Sequence, residues 1–196
     1  MIEYLKGHIA ELSPTFCAVE CAGVGYGVNI TLIDYDLLNS RASLEEEKLY
    51  IHESIREDAH ELYGFITKEG REAFRMLIGV SGVGPNTARL ILSSLTVQQL
   101  ESAISSGNEI PLKSVKGIGG KTAQRIIIDL KDKIKGASEA FNESVPVAGA
   151  SFEDAASALV MLGFSMPQSK KVLTKIFMQD PTLSAEQAIK LALKML

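Results

Sequence analysis

The sequence predicts an α+β chain in three modules: a small five-stranded antiparallel barrel, a central all-helical segment and, past a flexible linker, a three-helix tail. Three observations carry that prediction. Up to about residue 66 the apolar residues fall in short β-branched and aromatic runs broken by Gly and Pro. From Lys68 the apolar period becomes helical. Residues 137–150 are rich in Ser, Gly, Ala and Pro with little to bury. The expected modules are therefore 1–66, 67–136 and 151–196, with a flexible linker at 137–150.

Within the first module the strands are expected around Tyr4–Ile9, Thr15–Val19, Tyr26–Ile30, Lys48–His52 and Glu61–Phe65, with a short helix at Leu32–Asn39 between the third and fourth. In the second, Phe74, Leu77 and Ile78 form one helical stripe, followed by helices over Ala88–Leu92, Gln98–Ile104 and Lys121 to about Ile134. The tail reads as helices over Phe152–Leu162, Pro167–Phe177 and Ala185–Leu196. Gly163 suits a helix C-terminus, and Ser151 with Asp154 and Ser184 with Gln187 have the spacing of capping boxes.

At 196 residues and 46% hydrophobic content the chain has ample material for packed cores. No apolar run approaches the roughly 18 residues of a membrane span, and Met1-Ile2-Glu3-Tyr4-Leu5-Lys6 lacks a signal-peptide layout, so a cytoplasmic location is expected. Cys17 and Cys21 sit four apart on one strand, on the same face, and read as reduced thiols because no companion cluster completes a metal site. The net charge of −4 hides a strong asymmetry. Residues 1–66 carry 4 basic and 12 acidic side chains, residues 67–136 carry 11 and 6, and residues 137–196 carry 5 and 6. Polyanion binding follows the local field, so the basic middle segment remains a candidate for nucleic acid.

That basic segment holds a duplicated motif. Gly82-Val83-Gly84 leads to Thr87-Ala88, and Gly117-Ile118-Gly119 leads to Thr122-Ala123. An isolated Gly-hydrophobic-Gly triplet is ordinarily just a helix connector. A tandem pair with matching flanks and Lys113, Lys116, Lys121 and Arg125 nearby resembles a helix-hairpin-helix pair. Glycines there let a phosphate approach the amides that open the next helix, a grip that carries no base information. The candidate backbone-binding residues are Ser81, Gly82, Val83, Gly84, Pro85, Asn86 and Arg89 in the first copy, and Lys116, Gly117, Ile118, Gly119, Gly120, Lys121, Thr122 and Arg125 in the second.

Other phosphate motifs fail. Gly120-Lys121-Thr122 would end a Walker loop only if position 115 were glycine, and it is Val115, with no strand before the loop and Asp129 on the same helix as Lys121. A dinucleotide fingerprint fails because Thr87 and Thr122 stand where its third glycine belongs. His8, His52 and His60 show no ligand spacing. Arg56-Glu57-Asp58-Ala59 falls at a hairpin tip between the last two strands. Two adjacent acids there make a solvated turn, or half of a nuclease metal site that would need further carboxylates.

The whole chain, from the barrel with Arg-Glu-Asp-Ala before Leu62-Tyr63-Gly64-Phe65 through the two Gly turns to the helical tail, resembles the RuvA family of Holliday-junction-binding proteins. The resemblance implies an OB-type barrel, a tandem helix-hairpin-helix domain and a UBA-like three-helix domain. It implies a homotetramer, sometimes paired as an octamer, that holds four-way junction DNA open and square. The tail would contact the RuvB ATPase, and the RuvC resolvase would share the junction. Glu57 and Asp58 become an acidic pin at the junction centre, flanked by Arg56. No catalytic residue, metal or cofactor is implied, the ATPase activity residing in RuvB. Two positions depart from the family's usual lysines, Asn86 and Gly120, which shifts weight onto Arg89, Lys121, Arg125 and the backbone amides. A helix-hairpin-helix repair nuclease or glycosylase is the leading alternative and would need a catalytic carboxylate or metal cluster. A single-strand-binding barrel would need an array of exposed aromatics.

Overall fold

The computed structural model describes residues 1–41, 43–141 and 150–196. The chain divides into two compact units, Met1–Gly136 and Ala137–Leu196.

The first unit opens with five strands, β1 (Tyr4–Ser13), β2 (Phe16–Cys21), β3 (Val24–Asn29), β4 (Glu47–Ile55) and β5 (His60–Phe65). They close into a barrel in the order β1-β2-β3-β5-β4. Pairing is antiparallel except where Val28 meets Leu62 and Asn29 meets Tyr63, a parallel contact the sequence reading did not anticipate. Closure requires it: in a ring of five strands whose other four contacts are antiparallel, the remaining contact, β3 with β5, can only be parallel. Strand β1 also runs longer than expected, through a register shift between Ile9 and Glu11. Alternate residues point inward, and Leu5, Ile9, Cys17, Val19, Val28, Leu49, Ile51 and Leu62 form the barrel core. Cys17 is fully buried there, and burial, with the nearby Asp34 charge, pushes its thiol up to about 12, which makes it inert packing.

Helix α1 (Leu32–Asn39) lies where the sequence places it, capped by the Thr31 hydroxyl, which accepts from the Asp34 amide. Asp34 is itself buried; its carboxylate accepts from the Thr31 hydroxyl at 2.7 Å and from the Ile66 amide at 3.0 Å. Burial raises its pKa, while those hydrogen bonds pull the other way. The start of α1 is thereby pinned to the exit from β5.

Helices α2 (Lys68–Ile78), α3 (Pro85–Ser94), α4 (Val97–Ser106), α5 (Ile110–Lys113) and α6 (Gly120–Phe141) follow. The four-residue α5 carries a proline in its first turn and is too short to show a period in sequence. One core serves the helices and the barrel wall together, since Tyr63 and Phe65 of β5 belong to the same cluster as Phe74, Leu77, Ile91, Ile104 and Ile126. Phe74 is fully buried, with ring centroids 5.0 Å from Tyr63, 5.1 Å from Phe65 and 5.3 Å from His52. Burial of such a ring stabilises by about 1.5–3 kcal/mol, so the change of period near residue 66 is not a break in packing. Beside it the buried Arg71 donates to the Glu3 carbonyl at 2.9 Å and the Glu3 carboxylate at 2.5 Å, fastening α2 to the start of β1.

Helix α6 overruns the end expected near Ile134 and takes in residues 137–141 of the expected linker, consistent with the good helix formers Ala137, Glu139 and Ala140 beyond Gly136. Residues 142–149 of that linker lie outside the described residues. The second unit contains α7 (Ala150–Met161), α8 (Met166–Gln179) and α9 (Ala185–Ala192) around Ala155, Leu159, Leu173, Ile176, Ala188 and Ala192. Ser184 and Gln187 form the expected capping box, and Gly163 takes φ +100° after α7. Ser151 does not cap: α7 already includes Ala150, so the serine lies inside the helix. Among the described residues no helix is long and apolar enough to cross a membrane.

Candidate nucleic-acid interface

The two Gly turns are built alike. In the first, between α2 and α3, Gly82 adopts φ +89° and the Val83 amide donates to the Val80 carbonyl at 3.0 Å; in the second, between α5 and α6, Gly117 adopts φ +90° and the Ile118 amide donates to Val115 at 3.0 Å. Val83 and Ile118 turn inward and are buried, as are Val80 and Val115 behind them. The repeat then continues into the helices, where Ala88 and Ala123, Ile91 and Ile126, Leu92 and Ile127, and Leu95 and Leu130 fill matching places in one core. Besides the glycines and the Thr-Ala flanks, this longer apolar register is also present in the sequence.

Burying the middle residue leaves the two glycines of each turn outside. Gly82, Gly84, Gly117 and Gly119 are exposed, and a Cβ built on any of them meets nothing within 4 Å. Helices α1, α2, α4 and α9 each begin with a Thr or Ser hydroxyl that accepts a backbone amide. Helix α3 begins instead with Gly84, which supplies no side-chain cap, followed by Pro85. Its first amides and the positive end of its dipole therefore face a space open to an anion, and Gly119 stands at the same place before α6.

The side chains proposed for this face divide into two groups. Ser81, Asn86, Lys116 and Lys121 are exposed around the turns, with Thr122 half-buried. Lys113 lays its stem over Gly120, whose built Cβ would sit 3.4 Å from the lysine Cε, while its ammonium pairs with Glu109 at 2.5 Å. Arg125 and Arg89 are already engaged within the chain. Arg125 Nη1 donates to the carbonyl and the hydroxyl of Ser81, both at 3.3 Å. Arg89 Nη1 donates to the Thr15 carbonyl at 3.2 Å and to Asn29 Oδ1 at 2.9 Å. Sequence spacing gave no sign of these long-range partners.

The acidic pair occupies the tip of the β4–β5 hairpin. Ile55 pairs with His60 at its base, the Arg56 amide donates to the Ala59 carbonyl at 2.8 Å, and Arg56, Glu57 and Asp58 project exposed. Below the tip, Glu53 accepts from the His60 ring at 2.9 Å and from the Ile2 amide at 3.2 Å. These bonds hold its carboxyl below the usual carboxylate range, the His60 bond most of all. Among the described residues no group of three or more His, Cys, Asp or Glu side chains gathers as a metal site.

Three family models cover nearly the whole chain: the RuvA N-terminal domain at residues 1–64, a SAM-like helix-hairpin-helix tandem at 74–132 and the RuvA C-terminal domain at 150–196. The chain belongs to the RuvA family. It is 50% identical over 204 residues to the Holliday junction branch migration complex subunit RuvA of Bacteroides fragilis, with all of both chains covered. Proteins with the same description from Parabacteroides distasonis, 52% identical over 200 residues, and Porphyromonas gingivalis, 49% over 205, also match over their full lengths. Within a RuvA-family fold, the barrel and the two hairpins form the unit Met1–Gly136, which bears both the Gly turns and the acidic tip.

Proposed function

We propose that the chain is a non-enzymatic scaffold that binds four-way Holliday junctions in an open, square-planar form, without reading sequence. In this reading it loads and stimulates the hexameric RuvB ATPase for branch migration in recombination and repair. The observation that carries the reading is the pairing, in one unit, of two exposed Gly turns of equal geometry with an exposed acidic hairpin tip. The turns offer amides to phosphates, so they hold duplex arms whatever their sequence. Glu57 and Asp58 repel phosphates that converge where strands cross, which keeps the strands apart and penalises an unbranched duplex at that point. Ser81–Asn86, Lys116–Thr122 and Arg125 form the arm-holding set, and Arg56 flanks the acids.

The relatives described as subunits of a branch migration complex support the RuvB partnership. The second unit is the docking module for that ATPase, and the RuvC resolvase shares the same DNA. Four copies arranged about the crossover, or eight in two layers, present one acidic tip to each quadrant. The site of action is the cytoplasm.

A competition gel between a synthetic four-way junction and a linear duplex of equal length tests the reading. The junction is expected to win by at least an order of magnitude, with affinity falling steeply as salt rises. Equal affinity for the two DNAs sinks the assignment.

A further inference from the structure

We infer that Arg89 is a positioning residue that sets where the first Gly turn stands relative to the acidic hairpin, rather than a side chain that holds a phosphate. The inference rests on the junction-binding reading above and assigns the source of its selectivity. Arg89 lies in α3, one helical turn past Gly84. Both hydrogens of its Nη1 are accounted for by the Thr15 carbonyl and Asn29 Oδ1. Thr15 is in the β1–β2 turn, and its carbonyl also accepts from the Ile30 amide at 3.2 Å. Asn29 closes β3, and its Nδ2 donates to the Leu62 carbonyl at 3.3 Å, on the strand that starts just after Glu57 and Asp58.

A continuous path therefore runs from β5 through Asn29 and Arg89 into α3. Ser93 adds a second fastening one turn farther along: its hydroxyl donates to the Arg89 carbonyl at 2.8 Å and accepts from the Leu32 amide at 3.1 Å. Among the described residues the second hairpin has no such strut, the residue at the matching place being the exposed Gln124. It is tied instead to the first turn, through Arg125 and Ser81. The barrel thus aims hairpin one, and hairpin one aims hairpin two. A shift of α3 would move both grips against the acids and blunt the distinction between branched and linear DNA.

Full-length Arg89→Lys, Asn29→Ala, Asn29→Asp and the Arg89→Lys, Asn29→Ala double variant test this, with affinities for junction and linear duplex measured across a salt series. Lysine keeps the charge, but its ammonium ends one bond short of Nη1, the single nitrogen that reaches both acceptors. Arg89→Lys and Asn29→Ala are each expected to lower the junction-to-duplex preference about fivefold, the worth of a hydrogen bond. The double variant is expected to be no worse than either single, Asn29→Asp, which keeps the acceptor for Arg89 but loses the donor to the Leu62 carbonyl, to lose less of the preference than Asn29→Ala, and the slope of log affinity against log salt to stay at the wild-type value. A phosphate contact gives a different pattern: Arg89→Lys then binds like wild type, and Arg89→Ala, added for this purpose, flattens the slope by about 1 while Asn29→Ala changes nothing. That pattern overturns the inference, as does wild-type preference in every variant. Lack of junction preference in the wild-type protein sinks the underlying reading instead.

Discussion

Arg125 of α6 places Nη1 at 3.3 Å from both the carbonyl and the hydroxyl oxygens of Ser81, joining the second hairpin to the turn of the first across 44 residues of sequence. The contact is exposed, so the bond itself contributes little to stability, but it fixes the spacing of the two turns, which on the proposed function grip one duplex. Arg125→Ala is expected to weaken binding to junction and linear duplex by the same factor, roughly fivefold. Ser81→Ala, which leaves the carbonyl acceptor, should cost less than half that effect in free energy. Fluorescence anisotropy with both DNAs checks the pair, and a selective loss for the junction alone would contradict the shared role of the two hairpins.

The two glycines of each turn are expected to fail in different ways. Gly82 and Gly117 have φ near +90°, so an alanine there is strained by about 1–2 kcal/mol although its Cβ has open space. Gly82→Ala and Gly117→Ala should each lower Tm by roughly 4 °C. Gly84 has φ −84° and equal space, so Gly84→Ala should melt within about 1 °C of wild type yet bind DNA several-fold more weakly, its methyl standing where the proposed function brings a phosphate. Differential scanning fluorimetry beside binding titrations separates the two outcomes.

Glu57→Gln with Asp58→Asn removes two exposed charges at the tip of the β4–β5 hairpin. Stability should change by less than about 0.5 kcal/mol, because the hairpin is closed by backbone bonds. Affinity for linear duplex should rise, narrowing the junction preference, and the gain should shrink as salt increases. An unchanged ratio in the competition gel would reduce the acids to a solvated turn.

Glu3 provides a pH test. Its carboxyl is held below the usual range, first by the hydrogen bond from Arg71 and then by the charges of Arg71 and Arg75, against an opposing effect of desolvation. A folded pKa below the unfolded value means that the stabilisation is fully present above the ordinary glutamate range and is lost as pH falls through the depressed value. Urea denaturation from pH 7 down to pH 3 should show Glu3→Gln less stable than wild type at neutrality, with the gap closing in acid. A constant gap would show that Arg71 gains nothing from the charge of its partner.

Much of this protein was legible before folding because its signals are local. Alternation over Leu49 and Ile51 marks a strand, Ser184 before Gln187 marks the start of α9, and glycine at 82 and 117 marks turns that need positive φ. Each depends on residues within a few positions of one another. Ser151 shows the limit of such local signals: a good capping pattern is silent about whether helix has already begun at Ala150. Four-residue α5 escaped because one turn is too short to display a period.

The three-part chemistry is written in the residues alone: a β-rich acidic head, a basic pair of Gly turns and an alanine- and leucine-rich helical tail. Which basic residues find partners within the chain was settled only when it folded. Arg89 and Arg125 look like Lys116 and Lys121 in the sequence, yet half-buried Arg89 is bonded to Thr15 and Asn29 and Arg125 to Ser81, while Arg125 and the two lysines stand exposed. Tertiary structure also decided that β3 and β5 run parallel and that Phe74 welds the helices to the barrel. Charge and backbone propensity are properties of a residue and its near neighbours, but a hydrogen-bond partner dozens of positions away exists only once the chain has closed on itself.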